Sequence, residues 1–249
     1  LVVHRCSVEA GTLSVGDEVE LRVDVARRDA TRRNHSATHL LHWALRKVVG
    51  AHAQQKGSLV GPERLRFDFT HGKPLSHEQV SEIEDLVNQR ALANAPIRTE
   101  VLSMDEAKKR GAMMIFEEKY GDTVRMLSML ESTELCGGTH ARATGDIGLF
   151  KIQAEQGVAA GVRRVVATTG EGVISHLRAV ESEIERATAA AKASPGQLVE
   201  KIEKLVAESR ALEKKVDELN KKLLTGGGSG GIEALLGRAR EIAGVKVLG

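Results

Sequence analysis

The run Cys136-Gly137-Gly138-Thr139-His140 sets a thiol and an imidazole four residues apart, across two glycines that let the backbone turn sharply. Roughly a hundred residues upstream, His35-Ser36-Ala37-Thr38-His39 carries a second pair. Each pair is spaced so that its two ligand atoms point at one atom. No other feature constrains the fold as much, because the two segments must then meet, and the donor set suggests a single tetrahedral zinc site. A zinc-protease motif is excluded by chemistry. It needs a glutamate directly after its first histidine as general base, and Ser36 stands there.

Asn34 reads as an N-cap. From His35 to Val49 the residues Ala37, Leu40, Leu41, Ala44, Leu45 and Val48 recur at helical spacing, and Gly50 ends the helix. His35 and His39 then stand at i and i+4 on one face. His42 shares that face, so spacing leaves open which two of the three histidines bind metal. The bland alternative is a packed histidine pair. Four ligands bound at once close the site, whereas a catalytic zinc keeps one position open. Either one ligand is labile, or the metal expands its coordination, or zinc only joins the loop to the helix.

Residues 1–25 alternate through Val19, Leu21, Val23 and Val25 after a turn at Val15-Gly16-Asp17-Glu18. They are expected to be strands, the remnant of a β-barrel subdomain. Ala26 to Arg33 carries Arg27, Arg28, Arg32 and Arg33, either a solvated helix face or a contact for phosphates. Gln54 to Ser58 is expected as a loop, and Leu65, Phe67 and Phe69 as a half-buried strand. Capping boxes at Ser76–Gln79 and Ser103–Glu106 start two helices around a strand at 97–102. Strands follow at 123–129, 147–153 and 162–169, and the Cys136 motif lies in a loop. This pattern predicts an α+β domain over 26–170, with an antiparallel or mixed sheet.

The composition changes after Gly172. Residues 173–193 read as a helix broken by Ser194-Pro195-Gly196. Leu198, Ile202, Leu205, Leu212, Val216, Leu219 and Leu223 then step by fours and threes, with Ser209 in the one gap. Residues 171–224 are therefore expected to form a helical hairpin or coiled coil. A glycine-rich linker follows at 225–231. Residues 232–249 read as the truncated start of a C-terminal domain, and Leu1 as the start of an excerpt.

With 249 residues and 41% apolar content, a sizeable core is possible, but at 2% aromatics it must be built of Val, Leu, Ile and Ala. A net charge of +2 leaves nucleic-acid contact to local patches. Lys108-Lys109-Arg110 and Arg163-Arg164 are two, each equally readable as solvated surface. Two cysteines, one in a ligand motif, allow no disulfide framework and favour a reducing cytosol. No signal peptide or membrane span is visible.

Asn34-His35-Ser36-Ala37-Thr38-His39-Leu40-Leu41-His42 with Gln55-Lys56-Gly57-Ser58 resembles the editing domain of alanyl-tRNA synthetases. So do Cys136-Gly137-Gly138-Thr139-His140, Thr144-Gly145-Asp146-Ile147-Gly148, and Gly161-Val162-Arg163-Arg164 with Thr169-Gly170. The resemblance covers essentially the whole chain and includes the helical segment as the connection to a C-terminal domain. It implies that one zinc is held by His35, His39, Cys136 and His140, and that His42 is a core or supporting residue. It implies hydrolysis of tRNA(Ala) mischarged with serine or glycine, in the cytoplasm. Thr38, Gln55 and Cys136 are the implied pocket or catalytic candidates. The aminoacylation part, to which ATP and Mg2+ belong, has no counterpart in this sequence, so the chain is not expected to form alanyl-tRNA. The first half of the editing barrel is likewise missing.

The chemistry accounts for such a site. A pocket shaped for alanine cannot exclude glycine and rejects serine poorly. A second site that hydrogen-bonds the serine hydroxyl selects the error, because alanine would leave its polar groups unpaired. Thr38 and Gln55 have suitable side chains, and the Gly137 and Gly138 amides are candidates to stabilise an oxyanion. Two alternatives are a free-standing trans-editing protein of the AlaX type, and a non-catalytic structural-zinc module that binds tRNA or oligomerises through residues 173–224.

Overall fold

Phe67, Phe69 and Phe150, three of the four phenylalanines, are fully buried in one core. In the computed structural model, which describes residues 3–114, 121–226, 237–238, 240–242 and 245–247, that core lies against a four-stranded antiparallel sheet. The chain divides into two compact units, Leu1–Leu177 and Arg178–Gly249.

In the first unit the sheet runs β1-β2-β7-β6, from β1 (Gln55–Val60), β2 (Leu65–Thr70), β6 (Phe150–Ala159) and β7 (Val162–Thr169). Strand period puts Leu65, Phe67 and Phe69 on one face of β2 and Arg66 and Asp68 on the other. Helices α1 (Val25–Val48) and α2 (His77–Leu92) complete the core with Leu40, Leu41, Leu45, Ile83 and Val87. Burial of each such side chain contributes about 1.5–3 kcal/mol. The Ser76–Gln79 capping box forms reciprocally, with bonds of 3.2 and 3.0 Å, and fixes the start of α2.

A second sheet, β3-β4-β5, carries the cysteine loop. It comprises β3 (Arg98–Ser103), β4 (Thr123–Met129) and β5 (Ser132–Leu135), with the short α3 (Met104–Lys109) after β3. Ala107, Val124, Met126 and Leu135 give it a small core of its own. Cys136 directly follows β5. A single 3-10 turn at Thr144–Ile147 returns the chain to β6 and buries Ile147 in the main core.

α4 (Glu171–Ala191) straddles the division between the units, and α5 (Leu198–Gly226) lies in the second. A break at 192–197 separates them, with Gly196 at φ 80°. Along α5, Ile202, Leu205, Leu212, Val216, Leu219 and Leu223 are all exposed. A short ladder, β8 (Arg240–Ile242) with β9 (Val245–Val247), completes the described residues. Residues 227–231 of the expected linker lie outside them, as does most of 232–249. No helix among the described residues is long and apolar enough to cross a membrane.

The α+β class with antiparallel sheets holds, and three local expectations change. The helix starts ten residues earlier than Asn34 suggests, at Val25, where the Asp24 carboxylate caps the Arg27 amide at 3.0 Å. Asn34 is instead buried inside α1, with its Nδ2 donating to the carbonyls of Gly61 and Pro62 and its Oδ1 accepting from Thr169. Residues 3–24 form their Ser14–Asp17 turn but no strand, and Val15, Leu21 and Val23 are exposed. Alternation makes a strand only beside a partner, and none pairs there among the described residues. Gln55 to Ser58 is not loop but β1, antiparallel to β2 with a register shift between Gln55 and Gly57.

Candidate metal centre

His35 and His39 sit one turn apart on α1, and Cys136 and His140 in the loop that leaves β5. The ligand atoms of all four lie within 4.8 Å of one another. Cys136 Sγ is 3.5 Å from His35 Nε2 and 3.3 Å from His140 Nε2. The three rings cluster with centroids 4.1 to 5.3 Å apart.

What holds the rings explains why their Nε2 atoms converge. His35 Nδ1 donates to the Thr139 carbonyl at 3.0 Å. His39 Nδ1 donates to the Glu134 carboxylate at 2.5 Å. His140 Nδ1 lies 3.3 Å from the Ser36 hydroxyl, which also accepts the Ala141 amide at 3.0 Å. A Nδ1–H fixed by an acceptor leaves the Nε2 lone pair for a ligand, the arrangement typical of metal-bound histidine. His39 Nε2 is buried and has no hydrogen-bond partner among the described residues. A buried nitrogen without a partner is costly. A metal ion at the centre of the four groups would satisfy it, so the donor set fits one.

The loop is clamped from behind. The Cys136 amide bonds to the Arg125 carbonyl at 3.0 Å, and the Arg125 guanidinium donates to the carbonyls of Cys136 and Gly138. The glycines serve differently from the sharp turn expected. Neither has a positive φ. A Cβ on Gly138 would overlap His35 Cε1, so close approach of that ring requires glycine; Gly137 has open space. Neither amide has an internal acceptor among the described residues.

The charges follow from this packing. Burial works against the Cys136 thiolate, but its close contacts with His140 and His35, at 3.3 and 3.5 Å, and the positive charge of nearby His39 outweigh it and lower the thiol to about 3. Burial also opposes the His39 cation, yet the Glu134 carboxylate overrides it and raises His39 to about 9. Burial likewise opposes the Glu134 charge, and His39 reverses the balance to about 2. Burial lowers His140 to about 4. The cluster is thus a thiolate and a carboxylate around one held proton, which a cation can displace.

His42 stays outside the group of four. It is fully buried against Phe67, with Nδ1 3.5 Å from Glu134. The Thr38 hydroxyl donates to the Asn34 carbonyl at 2.8 Å, and Gln55 Nε2 to Ser58 at 3.3 Å. No hydrogen bond joins either to the cluster among the described residues. Among the basic groups, Arg110 pairs with Glu100 and Glu106, Arg163 with Glu155, and Arg164 with Asp68. Sequence reasoning missed Glu134, Ser36 and Arg125. Their only signal is proximity to the ligands in the chain, and their roles exist only once α1 meets the loop.

Residues 124–166 match the family model described as the threonyl and alanyl tRNA synthetase second additional domain. The chain is 63% identical over its whole length to an alanine–tRNA ligase of Sorangium cellulosum (strain So ce56). It is 51% and 52% identical, over 98% of its length, to those of Acidovorax sp. (strain JS42) and Polaromonas sp. (strain JS666 / ATCC BAA-500). It spans about 28% of the length of these relatives. On that likeness the chain belongs to the alanine–tRNA ligase family and corresponds to about a quarter of such a protein.

Proposed function

We propose that His35, His39, Cys136 and His140 hold one zinc ion, and that this centre hydrolyses the ester of tRNA(Ala) mischarged with serine or glycine. The observation that carries the reading is the convergence of three Nε2 atoms and one thiolate on a space that leaves His39 Nε2 unpartnered. A zinc tetrahedron with bonds of about 2.3 Å to sulfur and 2.0–2.1 Å to nitrogen has N···S edges of roughly 3.5 Å. The observed 3.5 and 3.3 Å agree.

When bound, zinc supplies a Lewis acid beside the ester. The chain does the rest. The Gly137 and Gly138 amides, which follow the thiolate in the chain and have no internal acceptor among the described residues, are suited to receive charge developing on the carbonyl oxygen. Thr38, one residue from His39, and Gln55 are proposed to select the serine hydroxyl. The ester is already activated, so orientation and oxyanion stabilisation suffice. The partner is tRNA(Ala) in the cytoplasm, and the exposed stripe of α5 is proposed to pair with a second copy.

One observation favours a second reading. Four protein ligands close a tetrahedral site, as in structural zinc, and then the metal only joins α1 to the loop. Deacylation of seryl-tRNA(Ala), with zinc content measured, decides. The first reading expects hydrolysis by the chain, lost in Cys136→Ala and in the His35/His39 double alanine variant. Undiminished hydrolysis without metal rejects zinc dependence, and a zinc-loaded chain without hydrolysis supports the structural reading.

A further inference from the structure

Beside the metal centre lies a cleft of about 510 Å³, within the range of ligand sites, whose wall includes the ligand His140. Its charged lining residues are Arg32, Arg33, Arg142, Asp29 and Asp146. Arg32 and Arg33 precede His35 by three and two residues on α1, so the cleft starts about 4.5 Å along the helix axis from the first ligand.

The carboxylates do not use up the arginines. Arg32 donates to Thr139 of the cysteine loop at 3.1 Å and to Asp29 at 2.9 Å, tying the cleft to the metal-binding loop. Asp146 is taken by the backbone amides of Arg142 and Ala143, at 3.1 and 3.3 Å. Its oxygen stands 4.0 Å from the Arg142 guanidinium, whose side chain is 94% exposed. Arg33 is half-buried beside Gly170 and has no hydrogen bond or ion pair among the described residues. The cleft runs to Val25, the first residue of α1, where the N-cap carboxylate of Asp24 is taken by the Arg27 amide. Two guanidinium groups without a close acceptor, in a concavity at a helix start, fit an anion with planar, bidentate oxygens.

We infer that the cleft binds the phosphodiester backbone of an RNA strand whose 3′ end enters the metal centre, with Arg33 and Arg142 contacting phosphates. A strand anchored by its terminal ester must lead its phosphates away from the metal, and this cleft adjoins one of the metal's ligands. The identity of the strand as tRNA rests on the function proposed above; the phosphate contacts do not.

The test is fluorescence anisotropy of the full chain with an uncharged, labelled RNA hairpin bearing a single-stranded 3′ tail, between about 50 and 200 mM salt. Arg33→Gln and Arg142→Gln should each weaken binding on the order of tenfold. Each should also reduce the slope of log affinity against log salt by about 0.7, the single-strand value per phosphate contact. Arg33→Lys should keep the slope. Melting temperature and metal content, measured in each variant, separate this from misfolding, and Arg142 is too exposed to unfold the chain. Wild-type affinity and slope in both glutamine variants, or a wild type without salt-dependent RNA affinity, overturns the inference. Because the RNA carries no ester, a chain that binds through these arginines but hydrolyses nothing rejects only the hydrolase reading.

Discussion

Glu134 sets which nitrogen His39 would offer to a metal. Its carboxylate fixes His39 Nδ1–H and so presents Nε2, and Glu134→Gln should lower metal affinity by about 10- to 100-fold, read by competition with a chelator. Gly138→Ala should displace the His35 ring and lose metal, whereas Gly137→Ala, which has space, should retain it. The pH dependence of the metal-free chain follows from four shifted groups. Glu134, His140 and Cys136 have depressed values, so the stability each contributes is present above its unfolded value and lost as pH falls toward about 2, 4 and 3. His39 is raised, so its contribution is present below the unfolded 6.5 and lost as pH rises through about 9. Between 6.5 and 9 the Cys136 and His39 slopes oppose each other. Urea titrations of the metal-free protein should show stability falling from pH 6.5 toward 3 and nearly flat from 6.5 to 9. In Cys136→Ser the opposing slope disappears, and stability should fall across 6.5 to 9.

At the scale of elements, α1 carries both histidines, and its start is set by Asp24 rather than by Asn34. Asp24→Ala should cost about 1 kcal/mol, measured as a lowered urea midpoint. Asn34→Ala should cost more, because it strands the carbonyls of Gly61 and Pro62 and the Thr169 hydroxyl. Asparagine has the same capping chemistry in either place, and only the packing of α1 against 61–62 and β7 reveals which it uses. The helix-period stripe from Ala37 to Leu45, the Ser76–Gln79 box and the alternation of Leu65, Phe67 and Phe69 were legible because each is local. Residues 3–24 alternate as well, but a strand is a property of a pair. The meeting of His35, His39, Cys136 and His140 was legible because thiol and imidazole at such spacing have few other uses. Glu134 was not, because a carboxylate two residues before Cys136 has no local reason to be buried; its partners come from α1. The stripe on α5 belongs to this scale too. Replacing Leu212 and Leu219 with Asp should shift sedimentation toward monomer if that stripe pairs two copies.

For the whole molecule, the metal would join α1, packed in the main core, to the loop of the second sheet. A ligand bound only by the folded state stabilises by mass action, so chelation should lower the melting temperature of the chain. Cys136→Ala should remove that response, leaving one melting temperature with or without chelator. X-ray absorption at the zinc edge of the purified chain tests the metal claim most directly. The account predicts one zinc per chain with one sulfur at about 2.3 Å and three nitrogens at about 2.0–2.1 Å. A zinc shell without sulfur, or a spectrum unchanged in Cys136→Ala, would contradict it.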